Sequence, residues 1–280
     1  MGQSEVGVRG QLTESLPDGE KSMETTKCHR EQHDYTFNFW RGCHRVHEGC
    51  KNCYAYLNGL AQMRRDNPNE VKRNAASTWK KPFTWQRKAK RGHRLKSVFA
   101  CSSSDFFIPD ADDWRPKAWE VIKDTPNLIW QISTKRPHLI AERLPADWGN
   151  GYSNVWLGVS LSLKKHLPQL DILASIPCKL RWTDLSPILQ DLTPELGKHL
   201  DGIGWVCGGG ETGVGRVEPR FFDMKWARNI RDLLKERGIP FYFGGPARKE
   251  WKCPPEIAHV IDGVKYQQVP PLRKGKGKNE

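Results

Sequence analysis

A chain of 280 residues is long enough to bury a substantial core, and its 12 Trp and 10 Phe offset a hydrophobic fraction of only 37%, which excludes a wholly disordered composition. No run approaches the roughly 18 apolar residues of a membrane span and the N-terminal stretch has no apolar signal region, so a cytoplasmic location is expected; in that reducing setting the eight cysteines read as metal ligands or buried thiols. The net charge of +13 is concentrated in two places: residues 64–96 hold twelve Lys/Arg against Asp66 and Glu70 (+10), and residues 265–280 hold five against Glu280 (+4), which leaves −1 for the rest.

In chain order, residues 1–27 are polar and aperiodic and read as a disordered arm. Strands are expected at Tyr35–Trp40, Ser97–Cys101, Leu128–Ser133, Val155–Ser160, Lys179–Thr183, Gly204–Cys207 and Pro240–Phe243. Most are continuously apolar, as strands covered on both faces are. Helices are expected near Asn52, Asp113, Pro137 and Lys164, and most clearly after Pro219, where Ala227, Ile230, Leu233 and Leu234 repeat at helical spacing and Gly238 supplies a stop. From the second strand onward the strands recur every 25 to 36 residues or so, the spacing of βα units in a parallel sheet. The fold class is therefore α/β: a full or partial (β/α) barrel of six to seven parallel strands, with a doubly wound open sheet as the alternative.

On this reading the barrel domain occupies residues 28–264, residues 64–96 are a basic insertion after its first βα unit, and residues 265–280 are a basic disordered tail. In the insertion Trp79, Phe83 and Trp85 interleave with Lys80, Lys81, Arg87 and Lys88. Cations that meet phosphates beside aromatics that stack on bases suit single-stranded or flipped nucleic acid. The plainer reading is that these aromatics pack the insertion onto the barrel.

The segment FNFWRGCHRVHEGCKNCYAY, residues 37–56, carries Cys43, Cys50 and Cys53 at C-x6-C-x2-C just after the first strand. Folds of the β/α type put their chemistry at the carboxyl ends of strands. The short spacing lets two thiolates reach one metal centre, and the longer loop brings the third. Spacing leaves two metals open. One is a tetrahedral zinc completed by His44 or His47; the other is a four-iron cluster with one iron lacking a protein ligand, an open position where a metal does chemistry.

The blocks GCHRVHEGCKNCYAY, VFACSSSDFF, ISTKRPH, NVWLGVSL and WVCGGGETGVGR, in this order between about Tyr35 and Gly244, resemble the radical S-adenosylmethionine (SAM) superfamily. They resemble more closely a phage-rich family of three-cysteine radical-SAM-like proteins. The resemblance implies a [4Fe-4S] cluster on Cys43, Cys50 and Cys53 whose open iron chelates SAM, reductive cleavage to a 5′-deoxyadenosyl radical, an external electron donor, and hydrogen abstraction from substrate. The first cysteine spacing is x6 where most members have x3, and Asn52 stands where an aromatic usually precedes the third cysteine. Asn52 and the following Tyr54 are thus both candidates to lie against the adenine. The fifth-strand block ends in Arg181-Trp182-Thr183-Asp184 rather than a Glu-Pro pair, and the last-strand block reads YFGGPAR, which points to shifted substrate chemistry with Asp184 as a substrate contact.

Placed by the same blocks, Asp105 and Ser103 are expected at the SAM amino group, although a helix N-cap is an equally ordinary use of such residues. Lys135 is expected to pair with the SAM carboxylate or a substrate anion, Ser160 to sit near the ribose, and Gly209 and Gly210 to let the backbone approach a ligand that Glu211 binds. The function implied is hydrogen abstraction from a modified base of phage DNA in the host cytoplasm, for example rearrangement of an amino-acid-decorated thymine, with Lys80, Lys81 and Trp85 on the DNA. The alternative from another class is a non-catalytic zinc- or cluster-stabilised nucleic-acid-binding module.

Overall fold

Apolar runs joined by short helices dictate a layered arrangement, and a computed structural model describes it for residues 26–27, 32–57, 67–213, 217–249, 252–253 and 257–272. Seven strands form one sheet: β1 (Tyr35–Phe37), β2 (Lys96–Ala100), β3 (Leu128–Thr134), β4 (Val155–Ser160), β5 (Leu180–Leu185), β6 (Ile203–Gly208) and β7 (Phe241–Phe243). Every neighbouring pair is parallel and follows chain order. β1 and β7 are the two edges, so the sheet curls into a half-barrel instead of closing. Of the expected alternatives the partial barrel is the one observed; a doubly wound sheet would reverse its strand order at a switch point.

The helices are α1 (Lys81–Arg91), α2 (Arg115–Lys123), α3 (Gln169–Ala174), α4 (Thr193–Leu196) and α5 (Met224–Glu236). α5 buries Ala227, Ile230 and Leu234, is capped by Asp223 accepting from Lys225 N at 2.8 Å, and is followed by Gly238 at φ +65°. The helix expected at Pro137 is absent. Two single turns, Pro137–Leu139 and Ala141–Arg143, stand in its place, and Pro145 holds Leu144 extended. Near Asn52, residues 51–57 form consecutive turns, and residues 58–66 lie outside the described residues. α1 is unanticipated: Pro82 lies in its first turn, and Lys88, Lys90 and Arg91 in its last turn complement the helix dipole.

Pleating sends alternate strand residues to opposite faces. On the convex face Phe37, Val98, Trp130, Leu157 and Phe243 join Ala118, Ile122, Leu170 and Ile230 of the helices in the main core. On the concave face Ile129, Trp156, Trp182, Trp205, Cys207 and Tyr242 form a second cluster. Its tryptophans floor the half-barrel, with ring centroids 5.9 Å apart for Trp156–Trp205 and 5.2 Å for Trp182–Trp205. Further along β4 and β5, on that same face, stand Ser160 and Asp184, which are register partners. The polar mouth therefore lies at the carboxyl ends of the strands.

The chain after β7 folds back along it. Phe243 N donates to Tyr266 O (2.9 Å), Gln268 N donates to Phe241 O (3.1 Å), and Trp205 Nε1 donates to Gln268 O (2.8 Å), while Val269 and Leu272 pack on the concave cluster. Residues 265–272, placed by composition in a disordered tail, are structured because they cover the β7 edge. Thr26–Lys27 pairs with Lys252–Cys253, and residues 1–25 and 273–280 lie outside the described residues. Among the described residues no helix is long and apolar enough to cross a membrane.

Candidate active site

The cysteine loop leaves β1 through Trp40–Arg41, which pairs antiparallel with Lys72–Arg73. Gly42 then turns the chain at φ +88°, and a Cβ there would lie 2.1 Å from Glu70 O, so only glycine fits. Two backbone bonds clamp the start of the loop: Gly42 N to Ser103 O (3.1 Å) and Cys43 N to Pro68 O (2.9 Å). Side chains fix the rest. Tyr56 Oη donates to Cys43 O, Tyr54 Oη donates to Ser102 O, and the Arg45 guanidinium lies over the Tyr56 ring at 4.1 Å and donates to Cys50 O at 3.3 Å. Cys50 is buried and Cys43 and Cys53 are partly so. Burial, then the Asp105 charge, pushes the Cys43 thiol up to about 12, and burial raises Cys53 as well. A metal binding here would displace those protons.

Asp105, expected at the SAM ammonium, is buried and fully engaged. Its Oδ1 accepts from Thr134 Oγ1 (2.7 Å) and Phe107 N (2.9 Å), and its Oδ2 accepts from Lys135 N (3.0 Å) and Arg136 Nη1 (3.0 Å). It staples the end of β2 to the end of β3, and a ligand would have to displace one of these donors. Arg136, held by it, brings Nη1 within 3.9 Å of Cys43 Sγ and donates from Nη2 to His44 O at 2.8 Å. Ser103 is buried with its N–H on Asn38 Oδ1 at 2.8 Å.

Lys135 and Ser160 do meet: Nζ donates to Ser160 Oγ at 2.6 Å. Asp184 faces the same space. Burial raises its carboxyl, while the Lys135 charge and the Ser186 hydroxyl oppose that rise. The Lys135 charge also acts on Cys53, and the Tyr54 phenol senses both Cys53 and Asp184. These four residues ring the mouth next to the third cysteine.

Glu211 caps the far rim. Its Oε2 accepts from Asn52 Nδ2 (2.9 Å), Arg220 N (3.0 Å) and Arg220 Nε (2.9 Å), and its Oε1 accepts from Arg220 Nη2. Burial raises its pKa, but the Arg220 and Asn52 bonds outweigh that and hold it below the usual carboxylate range. Arg220 also donates to Glu48 O at 2.9 Å, so this lock ties the β6 end to the cysteine loop. The Asn52 amide nitrogen is thereby held on Glu211. Gly209 and Gly210 serve a close approach of backbone to backbone: a Cβ on Gly210 would lie 2.1 Å from Ala247 N, and one on Gly209 2.9 Å from Gly245 O. Their missing side chains admit the chain after β7.

His47 is a site residue that motif reading treated only as a metal ligand. Its Nδ1 accepts from Gly49 N (3.0 Å), which leaves the proton on Nε2 facing Ser160 O at 3.4 Å, and its ring lies 4.3 Å from that of His166. Burial, then Lys135 and His166, lowers its pKa to about 4, so it is neutral at pH 7. His44 Nε2 contacts Asp110 Oδ1 at 2.9 Å. His47 of the zinc alternative thus has both ring nitrogens occupied, whereas His44 uses Nε2 alone. Among the described residues no three His, Cys, Asp or Glu side chains converge on a single ion. A four-iron cluster asks for something different, since each thiolate ligates its own iron. Three cysteines along one pinned loop fit that group.

The basic insertion divides. Trp85 stacks on Tyr35 (4.3 Å, 1° between planes) and meets Phe37 edge-on (5.9 Å, 90°), so the expected base-stacking ring is spent on the core. Lys80 and Lys81 are exposed at the start of α1, the mouth end, whereas α1 ends by leading into the start of β2 and carries Lys88, Lys90 and Arg91 to the opposite end.

A family model described as "Protein of unknown function (DUF5131)" matches residues 27–270. No curated protein matches the chain. Among solved structures the fold is similar to spore photoproduct lyase complexed with dinucleoside spore photoproduct, with a TM-score of 0.53, 13% identity, and 81% of each chain covered. It is also similar to a cysteine-to-serine mutant of spore photoproduct lyase, with a TM-score of 0.51, 14% identity, and 85% of this chain and 81% of that chain covered.

Proposed function

We propose that this chain, which belongs to the DUF5131 family, is a radical SAM enzyme that binds a [4Fe-4S] cluster on Cys43, Cys50 and Cys53 and acts on a modified nucleobase. The observation that carries this reading is the pinned three-cysteine loop at the carboxyl-end mouth of a parallel half-barrel, facing Lys135, Ser160 and Asp184. The fold likeness to spore photoproduct lyase, which is solved in complex with a dinucleoside spore photoproduct, supports a nucleobase substrate. When bound, the cluster with SAM supplies a 5′-deoxyadenosyl radical able to abstract hydrogen.

The chain's own residues prepare the site. Tyr56 and Arg45 fix the loop backbone at Cys43 and Cys50, and Arg136 places positive charge beside Cys43, which favours a thiolate there. Lys135, steadied by Ser160, is the cation that receives the SAM carboxylate or a substrate anion. Asp184, with its carboxyl raised by burial, presents a carboxyl group that can hydrogen-bond substrate. Glu211, Asn52 and Arg220 close the rim and position the loop against β6.

The substrate in this reading is DNA, and the specific case is rearrangement of an amino-acid-decorated thymine in phage DNA, in the host cytoplasm and with an external electron donor. The net charge of +13 supports a polyanionic substrate, and a protein of like fold binds a dinucleoside. Anaerobic reconstitution with iron and sulfide, followed by SAM, reductant and phage-type modified DNA, tests it. A brown protein that yields 5′-deoxyadenosine and a changed nucleoside mass is expected; a colourless protein that leaves SAM intact refutes it.

A further inference from the structure

On the convex side, α1 and α2 enclose a cleft of about 340 Å³ that the mouth chemistry does not use. Ligand pockets run from roughly 300 to 1,000 Å³, so the space suits one small group. Trp79 lines it and is only 5% exposed, yet its indole N–H has no acceptor among the described residues. Buried indole N–H groups ordinarily find a partner. Because this group can only donate, whatever completes it must accept.

The rest of the lining narrows the class. Arg73 covers the Trp79 ring at 4.6 Å, so that face is closed to stacking, and half-buried Phe83 supplies the aromatic edge of the cleft. Arg73, Lys80 and Lys117 bring three positive charges against Glu120 and Asp124, and Lys117 is already paired with Glu120. Free cationic charge therefore lies on the Arg73–Lys80 side, next to Trp79. Arg73 is also the register partner of Trp40, three residues before Cys43, so the cleft stands one hairpin from the cysteine loop.

We propose that this cleft binds one nucleotide of the nucleic-acid strand outside the reacting base, its base accepting from Trp79 Nε1 beside Phe83 and its phosphate resting on Arg73 and Lys80. The inference builds on the nucleic-acid substrate proposed above. It turns the basic aromatic insertion from an open stacking platform into a one-nucleotide pocket, with Trp85 excluded from it.

Fluorescence anisotropy of a labelled single-stranded oligonucleotide of mixed sequence with the full chain tests the site. Trp79→Phe keeps the ring and loses the N–H; it should weaken binding about fivefold, the size of one hydrogen bond. The double variant Arg73→Gln with Lys80→Gln should weaken it about tenfold and flatten its salt dependence. In an assay that needs no variant, an oligonucleotide bearing a thio-substituted photoreactive base should cross-link to the peptide containing residues 78–83. If the parent binds the oligonucleotide while both variants bind equally well and cross-links fall elsewhere, the cleft proposal fails and the nucleic-acid reading stands. If the parent binds no oligonucleotide, both fail together.

Discussion

Between Gly42 and Tyr56 the cysteines line the mouth and the flanking aromatics and arginine hold the backbone, whereas between Asn67 and Lys96 the aromatics turn inward and the charges divide between two ends of the barrel. The two segments are joined through the pairing of Trp40–Arg41 with Lys72–Arg73, and both were marked as functional by composition. The difference lies in what composition encodes. Cysteines at short spacing after a strand carry their own chemistry wherever the loop goes. A tryptophan among lysines is equally suited to a base or to a core, and only the fold decides which.

The sharpest way to break this comparison is to remove the thiolates. Cys43→Ala, Cys50→Ala and Cys53→Ala should each abolish iron incorporation and visible absorption, because two protein ligands remain for four irons. His44→Ala and His47→Ala proteins should keep iron and colour, since a four-iron cluster held by three thiolates takes no ligand from either ring. A Cys50→Ala protein with full iron content contradicts the assignment. Next in size is Asp105→Asn. Asp105 and Arg136 have side chains only 5% and 6% exposed, and breaking a buried pair leaves a charge uncompensated at a cost of about 3–5 kcal/mol. Chemical unfolding should show that loss; unchanged stability with lost SAM binding would restore Asp105 as a ligand.

A smaller effect separates the insertion's two roles. Trp85→Ala removes a ring stacked on Tyr35 and should cost about 2–3 kcal/mol, below the range for a fully buried tryptophan because Trp85 is half-buried. Oligonucleotide affinity per folded molecule should not change. Weaker binding at unchanged stability would show that this ring does reach a base.

The seven strands were legible because covered parallel strands are continuous apolar runs, and the mouth was legible because the motifs sit where those runs end. Lys135, Ser160 and Asp184 stand at those strand ends, where the resemblance to the radical SAM blocks had put them. The bonding of the spent carboxylates was not legible in the sequence. Asp105 is saturated by Thr134, Lys135 and Arg136 across the sheet, and Glu211 by Asn52, 159 positions away, and by Arg220. Such donors arrive only through tertiary contact. The same holds for Gly209 and Gly210, whose missing side chains make room for the backbone after β7. α1 was hidden because its last-turn cations read as a polyanion surface, when they also complement a helix terminus.

His47 gives the finest test of whether the loop's shape comes from packing or from bound metal. Unfolded, a histidine titrates near 6.5, but here burial, then Lys135 and His166, pulls its pKa down to about 4. Between those values the unfolded chain takes up a proton that the folded chain refuses, so stability rises with pH across that window. The contribution is complete above about 6.5 and is lost as pH falls through about 4. The ring is only half-buried, so solvent screening limits the effect to about 1 kcal/mol. His47→Asn offers an uncharged acceptor to Gly49 N in place of Nδ1 and has nothing to titrate. Urea unfolding of the metal-free protein at pH 7.5, 5.5 and 4 should therefore show the parent losing more stability on acidification than the variant. If the two fall in parallel, His47 is not held neutral by the folded loop, and the packing around Ser160 and His166 does not pre-form the site.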